Sequence, residues 1–196
     1  MTMRAFLAAI LGGIAMFIWS AIAHMVLPLG EAGVREIPDE QSVLAAMKAS
    51  IRESGFYIFP GLGVGSNPTR EQRSDAMKRM AENYPNTATG ILIYHPPGRP
   101  LTFGKWLSIE FVTELLQSIL VVFLLTQTRL VTFASRVGFV VVAGILAVIT
   151  TNISYWNWYG FPTVYTVAYM FIQLVGFLLV GLIAAMMLKP TAGVGT

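Results

Sequence analysis

Cysteine is absent from the chain. That excludes disulfides, thiolate metal ligands and a cysteine nucleophile, and it leaves the redox compartment undetermined. Charge is scarce too: Asp, Glu, Lys and Arg make up 12% of the 196 residues, roughly half of what a soluble domain carries. Only two histidines are present, His24 and His95, and no Ser-His-Asp grouping is visible. Three of the four long apolar runs lack any acidic residue. What the chain has in quantity is apolar residues, 55% of the total, gathered in runs long enough to cross a bilayer. The net charge of +3 and the pI near 9.3 therefore read as topology signal and headgroup contact rather than as a nucleic-acid footprint.

The apolar runs divide the chain. Residues 1–27, 106–127, 133–153 and 163–189 read as membrane helices, followed by a short cytoplasmic tail at 190–196. The fold class is an all-α integral membrane protein: a four-transmembrane-helix bundle with a small α+β extracytoplasmic insertion, residues 28–105, between helices 1 and 2. Ala21-Ile22-Ala23 has the spacing of a signal cleavage site, but the first run is longer than a usual signal core. Its Ala5, Ala9 and Gly13, with Ala8 and Gly12, form a small-xxx-small ridge suited to close helix packing.

The insertion holds 9 of the 13 basic and 8 of the 10 acidic residues. Pro38-Asp39-Glu40 opens a helix with Val43, Leu44, Met47 and Ile51 on one face. A β-like run at 56–59 and a Gly-rich loop at 61–66 follow. Asn67-Pro68 caps a second, highly charged helix to about Asn83, and a second β-like run lies at 91–94. The two halves suggest an αβαβ order in which the two runs pair as a small sheet. A two-stranded sheet is marginal alone, so the insertion is expected to pack on the bundle or on a partner. The Gly61–Gly65 stretch lacks the Lys-Ser/Thr of a phosphate loop.

Orientation follows from the short segments, because long loops translocate largely regardless of charge. Arg4, Arg129, Arg136 and Lys189 fall on one side, and the aromatic turn at 154–162 carries no basic residue. Both termini are expected in the cytoplasm, in a bacterial inner membrane, with Trp106, Trp156 and Trp158 in the outer interfacial belt.

The chemistry gathers on residues 106–127. Glu110 and Glu114, four apart, share one helical face, and Gln117 continues it. Ionisable residues at membrane depth are costly and mark function. At about 1.5 Å rise per residue, His24, Glu110, Asn152 and Thr166 lie about 6 Å in from the outer boundary. On the same rise, Thr151 lies about 8 Å in, Tyr169 about 10 Å, Ser20 and Glu114 about 12 Å, and Gln117 and Gln173 about 16 Å. The expected site is a polar pocket in the outer half of the bundle, made by Glu110, Glu114, His24, Asn152, Gln117, Tyr169 and Gln173.

Two carboxylates with a histidine suit a divalent cation held by Glu110, Glu114 and His24. The same set can relay protons, since neighbouring carboxylates do not both ionise easily. The Glu-x-x-His signature of di-iron bundles is absent. A blander account also stands: Glu110 can pair with Lys105, His24 can bond a carbonyl, and the amides can merely bridge helices.

The leading expectation is a small multi-pass protein binding a cation, proton or small polar ligand, its pocket completed by the insertion. The first alternative is a non-catalytic accessory or assembly subunit of a larger membrane complex, with a membrane-protein partner or a second copy. The third is a membrane enzyme acting on lipid or quinone, which would need a cavity reaching sideways beside the carboxylates.

Overall fold

The computed structural model describes residues 1–188. Lys189 and the tail at 190–196 lie outside the described residues. The described residues form two compact units, one of residues 1–35 and 102–188, the other of residues 36–101.

The first unit contains four helices long and apolar enough to cross a membrane. Helix α1 is Met3–Met25, capped by the Thr2 hydroxyl, which accepts from the Ala5 amide at 3.2 Å. The other three come after residues 36–101, whose helices are α2 and α3: α4 is Phe103–Thr126, α5 is Phe133–Val148, and α7 is Thr163–Met187. α5 does not stop at residue 153. It continues through a π turn at Ile149–Ile153 into α6, Ser154–Tyr159, and ends where Gly160 takes the left-handed φ of 69°. The expected aromatic turn at 154–162 is therefore mostly helix. Tyr155, Trp156, Trp158 and Tyr159 include no helix breaker, and only Gly160 and Pro162 supply one.

α1 packs between α4 and α7, and α5 packs on α7, whereas α4 makes few direct contacts with α5 or α7. The small-residue ridge creates this arrangement: Ala5, Ala8, Ala9, Gly12 and Gly13 are all buried. The Ser118 hydroxyl donates to the Ala9 carbonyl at 2.7 Å across the α1–α4 seam. On α7, Gly176 lies against Met16 and Gly181 against Val140, and Gly144 of α5 faces Phe177. The core joins Met16, Val121, Val122, Leu125, Val140, Phe177 and Val180.

Arg136, read from sequence as a topology marker, is buried at 5% exposure. Its Nε donates to the Leu130 carbonyl at 3.0 Å and its Nη1 donates to the Leu188 carbonyl. One guanidinium thus ties the α4–α5 connection to the end of α7. Arg136→Met is expected to lower stability by about 1–3 kcal/mol by leaving these carbonyls unsatisfied. Arg136→Lys should recover only part of that loss, because an ammonium lacks the fork. Thermal unfolding in detergent measures both. A wild-type unfolding temperature in Arg136→Met would refute the role.

In the second unit the order is α2, Glu40–Ser50; β1, Gly55–Phe59; α3, Arg70–Asn83; and β2, Gly90–Tyr94. The strands pair antiparallel, Tyr57 opposite Leu92, so the expected sheet forms. Asp39 caps α2. The cap of α3 is Thr69 rather than Asn67-Pro68: Thr69 accepts from the Gln72 amide at 3.1 Å, and Gln72 accepts from the Thr69 amide at 2.9 Å. That reciprocal box needs a hydroxyl and a free N–H at the cap, which Pro68 cannot offer. Only Ala76 and Tyr94 of this unit are buried, and Leu44, Phe56, Ile58, Phe59, Met77 and Ile93 are exposed.

Candidate functional site

The site lies in the first unit, toward the end at which α1 finishes and α4 and α7 begin, here the upper end. Three helices supply it. α1 contributes Met16, Trp19, Ser20 and His24; α4 contributes Glu110, Glu114 and Gln117; α7 contributes Tyr169, Ile172 and Gln173. These residues enclose a chamber of about 30 Å³. The spacings of four along α1 and α4 put successive members on one inward face, as a 3.6-residue period requires.

Glu114 is the buried member, 5% exposed, and its Oε2 has no hydrogen-bond partner among the described residues. Glu110, one turn nearer the upper end, is exposed at the chamber mouth. Among the described residues, the chamber touches two carboxylates and no lysine or arginine. The pairing of Glu110 with Lys105 does not occur; Lys78 with Asp75 is the only ion pair among the described residues.

Each other wall is fixed by its own bond. The His24 Nδ1 donates to the Ser20 carbonyl at 2.9 Å, which sets the tautomer and leaves Nε2 free to accept when the ring is neutral. The ring lies edge-on to Tyr169, centroids 6.4 Å apart. Gly30, in the turn after α1, crosses the other side so closely that a Cβ there would collide with His24 Cδ2. Tyr169 is in turn stacked on Tyr165 at 5.7 Å. The Trp19 Nε1 donates to the Ile172 carbonyl at 2.9 Å, joining α1 to α7 at the chamber floor.

Six of the seven expected site residues therefore meet at one chamber. Asn152 does not reach it. Held in the π turn, it donates to the Val148 carbonyl at 2.9 Å and to the Gln173 Oε1 at 3.1 Å. It orients Gln173 from behind. Thr166 is buried and returns its hydroxyl to the Pro162 carbonyl. The divalent-metal set of Glu110, Glu114 and His24 gains no support: among the described residues, no three His, Cys, Asp or Glu side chains group as a metal would need.

Trp19, Met16, Ile172 and Gly30 were not marked by sequence. The one available signal was the indole N–H of Trp19 within an apolar run, which must find an acceptor. A second cavity adjoins the first, a cleft of about 340 Å³ between α1 and α4. It shares Ser20, His24, Glu110 and Tyr169 with the chamber. No protein-family model, curated protein or solved structure matches this chain.

Proposed function

We propose that this protein crosses a bacterial inner membrane four times and binds a proton or a small cationic group at Glu114, in the outer half of its bundle. Both termini would then be cytoplasmic, as the basic residues of the short segments favour, and the upper end would face the extracytoplasmic side. The observation that carries the binding site is Glu114, a carboxyl in the wall of a polar chamber with one buried oxygen that has no hydrogen-bond partner among the described residues. A buried acceptor left unmatched costs about 1–3 kcal/mol, and such a group is retained where a ligand uses it.

Size narrows the ligand. A space of about 30 Å³ has room for one or two water-sized groups, since a water needs about 10–15 Å³ by this measure. A proton, a monovalent ion or an ammonium head fits at that depth. Glu110 at the mouth would raise the local cation concentration, and His24, Tyr169 and Gln173 would orient what arrives.

The test is thermal unfolding of detergent-purified wild type and Glu114→Gln across pH and across sodium and ammonium concentrations. A ligand that binds only the folded state raises the unfolding temperature with concentration. Wild type should respond to pH or to one of the cations, while the folded variant does not. Identical behaviour of the two proteins would overturn the site.

A second account is favoured by one observation: residues 36–101 bury only Ala76 and Tyr94 while Phe56, Ile58 and Ile93 are exposed. That is the condition of an accessory subunit whose extramembrane part docks on another protein. It predicts a fixed partner on purification from native membranes.

A further inference from the structure

We propose that the cleft between α1 and α4 takes the apolar body of an amphiphile whose ammonium head sits at Glu110, above Glu114. This rests on the cation site proposed above and names the class of ligand that fills it. The chamber alone is too small for an organic molecule. The adjoining cleft, at about 340 Å³, falls within the range of small-molecule sites, about 300–1,000 Å³.

Composition gives the cleft a direction. Phe17, Ala21 and Met25 of α1 face Phe103, Trp106 and Leu107 of α4, an apolar lining suited to a hydrocarbon or aromatic body. Ser20, His24, Glu110 and Tyr169 belong to both spaces, so the polar boundary lies where the cleft meets the chamber. A ligand seated in the cleft therefore presents its polar end to Glu110.

Charge fixes the sign of that end. Glu110 and Glu114 line these spaces, with no lysine or arginine in either among the described residues, so a carboxylate, sulfonate or phosphate head would meet only like charge. Aromatic rings strengthen the preference. Phe17, Phe103, Trp106 and Tyr169 border the cleft, and faces of such rings attract alkylammonium groups. Two of the rings are held by neighbours: Phe17 is edge-on to Phe111 at 5.2 Å, and Tyr169 is stacked on Tyr165. Ring positions set before binding cost less on association.

The experiment is equilibrium dialysis of benzyltrimethylammonium against the full chain in a non-ionic maltoside detergent, with benzenesulfonate as the anionic control. Wild type should bind the ammonium saturably and the sulfonate no better than protein-free micelles do. Glu110→Gln and the cleft-filling Ala21→Phe should each weaken binding about tenfold, the size expected for losing one such contact. Leu107→Trp fills the same cleft from α4 and replaces Ala21→Phe if that variant does not fold. Displacement of the probe by phosphatidylcholine would place the ammonium on a lipid headgroup, and its persistence would place it on a free amphiphile; either supports the proposal. Equal binding of ammonium and sulfonate, or ammonium binding untouched by Glu110→Gln and by cleft filling, overturns it. If the Glu114-dependent unfolding response persists while no ammonium binds, the amphiphile is removed and the small-cation site stands. Loss of both removes both.

Discussion

Gly13→Val is expected to abolish the folded bundle or to destabilise it by about 3 kcal/mol, the upper end of the usual cost of overpacking. A Cβ at Gly13 would lie 2.8 Å from Leu115 Cα. That atom is backbone of α4, so it cannot yield by rotating a side chain; the two helices must separate. Separation would loosen the Ser118–Ala9 bond and the burial of Val121 and Val122 one to two turns away. Gly12, whose Cβ would meet the Ser118 hydroxyl at 2.7 Å, belongs to the same seam. Gly138 supplies the control. It also lies inside a helix, but a Cβ there meets nothing within 4 Å. Gly138→Ala should be neutral or stabilising by up to about 1 kcal/mol, the difference in helix propensity. Size-exclusion profiles and unfolding temperatures in one detergent compare the pair. Equal effects at positions 13 and 138 would show that the α1–α4 seam is looser than described.

The second large effect has the opposite sign. Glu114→Met keeps the length of the side chain and removes a buried oxygen that no protein group satisfies. Stability should rise by about 1–3 kcal/mol, while the response to pH and cations disappears. A residue whose removal stabilises the fold and silences binding is retained for the ligand rather than for the architecture. Loss of stability in Glu114→Met, by a comparable amount, would make the carboxyl a structural group and sink the site.

The helical ladder and the αβαβ order were readable because periodicity and breakers report on local structure. Residues 1–27 became Met3–Met25, and residues 106–127 became Phe103–Thr126. The depth count put Glu110, Glu114, His24, Gln117, Tyr169 and Gln173 in one half of the bundle, and all six line the chamber. It set Asn152 too shallow: counted from Trp156 that residue lay about 10 Å above Gln173, whereas the helix runs on to Tyr159 and the two side chains are hydrogen-bonded at 3.1 Å. Trp19 escaped notice because its acceptor, the Ile172 carbonyl, is 153 residues away in sequence. The cleft was invisible for a similar reason: it is the space left between two helices, and no single segment encodes it.

Both carboxylates ride on α4, and α4 is fastened to the rest of the unit chiefly along one edge, through α1. The opposing wall, made by His24, Tyr169 and Gln173, belongs to α1 and α7, which are locked together and backed by α5. The charge and the groups that orient its ligand therefore sit on opposite sides of the α1–α4 seam, at a separation set by the small residues Gly12 and Gly13.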